Sequence, residues 1–201
     1  MKGIAASFLL VPLLLTGCVV PDGGADAATT ATAAADGYAR LDEAGIAQIK
    51  ASKSARLDMT SGQLTKESVG LENGTSRAPD VLMRDGVMEL NIEGPRGSIS
   101  ATTDRLRLNG MNNRSDFTEV TYFLTAESLE DFTALIRDGV DRYGIPSESA
   151  ERWIKSMSSR PEDKSDFALG PGTSTGLDVT YDLRYDGAKD VQVIIVHVSP
   201  A

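Results

Sequence analysis

The most constraining feature of the chain is a two-residue alternation near its C-terminus. Apolar side chains recur at every second position from Leu177 to Tyr185, and Asp, Thr and Arg occupy the positions between them. After Gly187, a mostly apolar run extends from Val191 to Val198. Alternation with a period of two is typical of a half-buried strand, whereas a nearly continuous apolar run is typical of a central strand. The two segments therefore predict a β-hairpin whose second strand lies inside a sheet.

Three further segments show strand character. Residues 87–93 alternate between apolar and polar side chains and end at a glycine- and proline-rich turn. Residues 98–108 return as a strand, but their apolar positions change from odd to even numbers, which predicts a bulge or break near Thr103 and Asp104. Residues 117–125 are rich in Thr, Val, Tyr and Phe, and they predict another strand. The middle of the chain is therefore predicted to form antiparallel strands.

A helix is predicted directly after these strands. Apolar side chains recur at helical spacing from Leu129 to Tyr143. Thr125 or Ser128 can cap the start of this helix, and Gly144 is typical of a residue that ends one.

Four other segments complete the predicted order of elements. Ser147 is predicted to cap a further helix that ends before Pro161. Residues 162–176 are acidic and glycine-rich, which predicts a loop. Near the start, residues 38–53 have helical spacing of apolar side chains, and residues 55–60 alternate as a strand does.

The elements follow one another as a helix, several antiparallel strands, two helices and a C-terminal hairpin. This order predicts an α+β fold, in which helices pack on one face of a mostly antiparallel sheet and polar side chains cover the other face. We expect residues 38–201 to form a single globular domain.

The first 18 residues have the pattern of an export signal. Lys2 precedes an apolar stretch that ends in Leu15-Thr16-Gly17-Cys18, and Cys18 is the only cysteine of the chain. This pattern resembles the lipobox of bacterial lipoproteins. The resemblance implies that residues 1–17 are a cleaved signal peptide and that Cys18 carries a diacylglycerol and an acylated amino terminus. Two or more acyl chains hold a protein stably on a membrane.

The residues after the cysteine indicate where the protein is held. Val19 stands where an inner-membrane retention signal would have Asp, so the resemblance implies the outer membrane of a Gram-negative cell, or else the outer face of a single cell membrane. Residues 18–37 are rich in Ala, Thr and Gly, which predicts a flexible tether. Such a coil has a root-mean-square reach of roughly 20 to 25 Å. We therefore expect any partner to lie close to the anchoring membrane of the cell envelope.

Charge and residue usage exclude several classes of function. The chain carries a formal net charge of −9, so we expect neither nucleic acid nor anionic headgroups as partners of the globular domain. With Cys18 lipidated, no cysteine remains for a disulfide, and His197 is the only histidine. We therefore predict no metal site and no cofactor.

One motif is compatible with catalysis. The segment Gly172 to Gly176 matches G-x-S-x-G around Ser174, and Asp182 and His197 follow in the order used by α/β-hydrolases. That nucleophile needs a strand before it and a helix after it, whereas this sequence predicts a loop before Ser174 and a strand after it. The motif therefore favours a flexible connection, and His197 a locally hydrogen-bonded histidine of a strand.

The favoured hypothesis is a non-catalytic binding module that is anchored through Cys18 and recognises a protein partner or a small ligand in the envelope. An immunity or inhibitor protein is one form of this hypothesis, and a carrier of an apolar ligand is another. A serine hydrolase built on Ser174 is the less favoured alternative.

Overall fold

The computed structural model describes residues 37–201. The predicted signal peptide, Cys18 and residues 19–36 of the tether lie outside the described residues. The described part is a single α+β domain with mostly antiparallel sheets, which confirms the predicted fold class. Its helices are α1 (Glu43–Ser52), α2 (Leu129–Tyr143) and α3 (Ser147–Ser158). Its strands are β1 (Ser54–Asp58), β2 (Leu64–Thr65), β3 (Asp80–Leu82), β4 (Met88–Glu93), β5 (Ser98–Thr103), β6 (Arg105–Asn109), β7 (Asp116–Phe117), β8 (Glu119–Thr125), β9 (Lys164–Gly172), β10 (Leu177–Asp186) and β11 (Val191–Pro200).

A six-stranded sheet forms the centre of the domain. Its strand order is β3-β6-β8-β11-β10-β9, and all neighbouring strands are antiparallel. The apolar strand β11 lies between β8 and β10, which confirms its predicted central position. In this register, His197 lies opposite Thr180 on one side and Thr121 on the other.

Helices α2 and α3 cover one face of this sheet through aromatic side chains. The ring centroids of Phe132, Trp153 and Tyr185 lie 5.5 to 5.8 Å apart. The contact between α2 and β10 is close because residue 139 is glycine: a Cβ there would lie 2.6 Å from Cε2 of Tyr181. Ser128 caps α2 by accepting a hydrogen bond from the amide of Asp131, as one of the two predicted caps.

A bulge or break was predicted near Thr103 and Asp104, and the structure confirms a break at Asp104, which separates two sheets. Strand β5 belongs to a three-stranded sheet of order β1-β4-β5, whereas β6 enters the six-stranded sheet. The hydroxyl of Thr103 bridges the corner, because it donates to the carbonyl of Arg105 at 3.0 Å and accepts from the amide of Phe123 at 3.2 Å.

The turn after β4 contacts the turn after β9, since the amide of Arg96 donates to the carbonyl of Thr175 at 2.9 Å.

A small sheet of β2 and β7 is stabilised by a buried lysine. Lys66 is 1% exposed, and its Nζ donates to the carbonyl oxygens of Thr75 at 2.8 Å, Met111 at 3.0 Å and Asn73 at 3.4 Å. A buried ammonium requires such partners, because its desolvation is costly without them. Lys66 therefore joins two separate loops to the domain.

Three local predictions were wrong. The first helix begins at Glu43, not at residue 38, because the Asp42 carboxylate accepts from the amide of Gly45 at 2.8 Å and caps it there. Ser147 is the first helical residue of α3, and the capping position is Pro146, which offers no side-chain hydrogen bond. Residues 164–172 are not loop but the edge strand β9, which pairs along β10 despite its weak apolar pattern.

The second face of the six-stranded sheet is not uniformly polar. Arg105 and Arg107 lie there and contact Asp80. Phe123, Val193 and Ile195 are half-buried between these charges and those of β10. We refer to this surface as the open face.

Candidate functional site

The G-x-S-x-G motif lies in the turn between two antiparallel strands, β9 and β10. The amide of Ser174 donates to the carbonyl of Tyr143 at 3.1 Å. Its hydroxyl lies against Gly144, where an added Cβ would be 2.6 Å from Oγ. Ser174 is therefore packed on the C-terminal end of α2, on the helix side of the sheet.

Asp182 and His197 lie on the open face instead. The Asp182 carboxylate accepts from Nη2 of Arg184 at 2.5 Å, and Nδ1 of His197 lies 3.1 Å from Oε1 of Glu119. Because successive residues of a strand point to opposite faces, the sheet separates these side chains from Ser174 on the helix side. The structure does not bring the three candidate residues together.

Glu119 has a perturbed environment on the open face. Burial acts to raise its pKa, but contacts from His197, Thr121 and Asn109 together hold the pKa of the carboxyl below its usual value. Hydrogen bonds to Thr121 at 2.8 Å and Asn109 at 2.7 Å account for two of these contacts. Glu119 is therefore a carboxylate that fixes neighbouring side chains of β6, β8 and β11.

A large hollow lies where β5 separates from β6, and we call it the tyrosine cleft. Its volume is about 780 Å³, and it is open to solvent. Strand β5, the end of β8 and the C-terminal half of α2 form its walls, and Tyr122, Tyr143 and Tyr181 line it together. Ligand sites of proteins span roughly 300 to 1,000 Å³, so the cleft has the size of a binding site.

The three tyrosines are buried, but their hydroxyl groups are not equally satisfied. Tyr143 donates to the carbonyl of Ser100 at 3.4 Å, whereas the hydroxyl of Tyr122 makes no hydrogen bond of normal geometry in the described structure, although it lies near enough to the Tyr143 hydroxyl to affect its pKa. Burial raises the pKa of Tyr122, Tyr143 and Tyr181, so all three stay protonated at neutral pH. They can therefore act as neutral hydrogen-bond donors.

The charged residues of the cleft are mainly acidic. Its carboxylates are Glu89, Asp104 and Asp138, against the single guanidinium of Arg142. Arg142 is already engaged: it donates to Asp138 at 3.1 Å and to the carbonyl of Ser100 at 3.2 Å. Lys53 also lies beside Gly86 at the cleft, since its Nζ would be 3.3 Å from a Cβ at that glycine. Three carboxylates still outnumber the two cations, so the rim favours a cationic group over an anionic one.

Among residues 37–201, no cluster of three or more metal-ligating side chains occurs. Within the same range, no helix is long and apolar enough to cross a membrane. The tyrosine cleft offers hydrogen-bond donors, carboxylates and apolar surface, which are the components of a recognition site.

The sequence patterns placed each tyrosine in its element but not in one site. Tyr143 belongs to the apolar stripe of α2 and Tyr181 to the alternation of β10. Their convergence with Tyr122 depends on long-range packing, so no local pattern indicated it.

Comparisons with known proteins place the chain in no group. No family model, no curated protein and no solved structure matches it.

Proposed function

We propose that the protein is a lipid-anchored binding module of the bacterial cell envelope, and that its tyrosine cleft holds part of a partner or a ligand. The observation that carries this proposal is the solvent-open cleft of about 780 Å³, whose lining combines three tyrosines with carboxylates and apolar side chains. A concave site of this size with a few polar groups among apolar surface is the usual form of a ligand site.

The anchor supplies the cellular context of the proposal. Acyl chains on Cys18 would hold the domain at the membrane, and the tether would keep the start of the domain, at residue 38, roughly 20 to 25 Å from the anchor. The variant Cys18→Ser tests this part. We expect the wild-type chain, but not the variant, to incorporate labelled palmitate, and equal incorporation by both would contradict it.

A matched pair of substitutions tests the cleft. Ala101 lines the cleft on β5, whereas Ala168 is exposed on the open face of β9. The full-length lipoprotein, purified in detergent, is incubated with envelope extract, and the molecules that stay bound are identified by mass spectrometry. We expect Ala101→Phe to lose the bound molecule and Ala168→Phe to keep it. Retention by both variants, or binding of nothing by the wild type, would refute the proposal.

A carrier of an apolar ligand is the second candidate. Val87, Ala101, Leu124 and Leu135 give the cleft an apolar part of its lining. A neutral fluorescent probe such as Nile red would bind in that part, and Ala101→Phe would displace it while Ala168→Phe would not. The hydrolase alternative stays a prediction that labelling of Ser174 by a fluorophosphonate would support.

A further inference from the structure

The walls of the tyrosine cleft are strand edges. The amide of Gly94 donates to the carbonyl of Gly97 in the turn between β4 and β5. In the register of this antiparallel pair, this bond determines which residues of β5 are hydrogen-bonded to β4 and which are not. The main-chain groups of Ser100 and Thr102 consequently point away from β4. The carbonyl of Ser100 accepts from Arg142 on that side, which agrees with this direction. Strand β5 is an edge of its sheet, so the main chain of Thr102 faces the cleft.

The second edge is the end of β8. Its pairing with β6 stops at Tyr122, whereas its pairing with β11 continues to Thr125. The amide of Ala126 donates to β11 at 2.9 Å, so the main chain of Thr125 points to the opposite side. Phe123 has its amide occupied by the Thr103 hydroxyl on that side. Thr125 also lines the cleft, so its main-chain groups are the part of the β8 edge that no strand pairs there.

The acidic surface continues beyond the cleft. A neighbouring hollow of about 500 Å³ shares Thr125, Leu135 and Asp138 with it and adds Glu127 and Asp131. The two hollows together form a groove between the end of β8 and helix α2. Carboxylates are spaced along this groove, whereas Arg142 is the only cation among the residues that line the two hollows.

We propose that this groove binds a short extended peptide segment with basic side chains, which adds as a strand to the edge of β5 or β8. The inference rests on the proposed function, because it assigns a ligand class to the same cleft. Strand addition uses main-chain hydrogen bonds for affinity and side-chain pockets for selectivity. Here the carboxylates that line the two hollows select Lys or Arg. A strand rises roughly 3.3 Å per residue, so three to five residues suffice to follow the end of β8.

Calorimetric titration of the full-length lipoprotein in detergent tests the class of ligand. The probes are the peptide acetyl-Lys-Val-Lys-Val-Lys-amide, its counterpart with Glu in place of Lys, and two Lys peptides N-methylated at alternate amides. Methylation removes main-chain donors on one edge without changing charge. We expect the Glu peptide to bind at least about tenfold more weakly, and one of the two methylated peptides to lose a similar factor.

Two variants and one further measurement locate the binding. Ala101→Phe should abolish binding of the Lys peptide, whereas Ala168→Phe should leave it unchanged. Hydrogen exchange should show slower exchange at the amides of Thr102 or Thr125 when the peptide is bound, because strand addition protects edge amides.

The outcomes separate this inference from the proposed function. Equal binding of both methylated peptides and the unmethylated one would overturn strand addition. No binding of the Lys peptide, together with an envelope molecule retained by wild type and lost by Ala101→Phe, would overturn the peptide class and leave the binding module standing. If neither the peptide nor an envelope molecule binds, both fail.

Discussion

Replacing Tyr122 by Phe removes one oxygen atom from the buried base of the tyrosine cleft. Tyr122 is fully buried in β8, and its hydroxyl has no hydrogen-bond partner of normal geometry in the described structure. Removing a buried polar group that lacks a partner relieves its desolvation cost. We therefore expect Tyr122→Phe to stabilise the unliganded domain, although it is a substitution in the core.

The structure supplies both the magnitude and a matched control. Because the unpaired hydroxyl costs about 1 to 3 kcal/mol, we expect Tyr122→Phe to raise the free energy of unfolding by about 1 kcal/mol. For a domain of this size, that corresponds to about 2 to 4 °C in Tm. Tyr143→Phe removes the neighbouring hydroxyl, which donates to Ser100. Losing that bond should lower the free energy of unfolding by about 0.5 to 1.5 kcal/mol.

Urea unfolding followed by Trp153 fluorescence measures both variants. Trp153 is the only tryptophan, it is 5% exposed, and it packs against Phe132 and Tyr185 away from the substitutions. The slope of the free energy against urea should stay unchanged, so that midpoints compare directly. If Tyr122→Phe is destabilised as much as Tyr143→Phe, the Tyr122 hydroxyl is satisfied in the unliganded protein, and the reasoning from its missing partner is refuted.

Three further predictions concern other parts of the fold. Burial raises the pKa of Tyr181 above the ordinary 10.0, so above pH 10 the folded state binds more protons than the unfolded state. The free energy of unfolding therefore falls by about 1.4 kcal/mol per pH unit for this residue. Tyr181→Phe should reduce this loss in alkaline unfolding, and an unchanged slope of stability against pH would contradict the reasoning. Lys66→Met leaves three carbonyl oxygens without their cation and should lower the free energy of unfolding in urea by about 2 to 3 kcal/mol. Hydrogen exchange in residues 72–78 should become faster. Unchanged exchange there would refute the role of Lys66 in holding this loop to the domain. Thr103→Val removes the hydroxyl that bridges β6 and β8. It should lower the free energy of unfolding by about 1 to 3 kcal/mol and make hydrogen exchange of the Phe123 amide faster. Unchanged stability would show that the corner forms without this hydroxyl.

Local periodicity in the sequence predicted the strands that bury one or both of their faces. The alternation in β10 and the apolar run of β11 are confirmed because each strand buries one or both faces, and burial imposes a period. The change of parity at Thr103 and Asp104 predicted a break, since a strand cannot bury both odd and even positions on one face.

The elements that sequence patterns missed depend on distant partners. Strand β9 buries only two of its nine residues, so its own side chains carry no alternation, and β10 determines its conformation through main-chain pairing. The tyrosine cleft likewise has no local signature. Tyr122, Tyr143 and Tyr181 come from three elements that meet only after the sheet and α2 have packed.

The break at Asp104 opens the cleft that we propose as the peptide site. It also exposes strand edges at which a second copy of the chain can pair. By sending β5 and β6 into different sheets, the break leaves the main chain of Thr102 and of Thr125 without a pairing strand, and exposed edges promote association between identical chains. The carboxylates beside these edges oppose that outcome, because a second copy of a chain with a net charge of −9 would bring more negative charge to an acidic groove. A basic segment meets the same edges without that repulsion. Glu89, Asp104 and Asp138 would thus both prevent self-association and select the partner, and neutralising Asp104 by Asp104→Asn should weaken binding of the Lys peptide while increasing self-association.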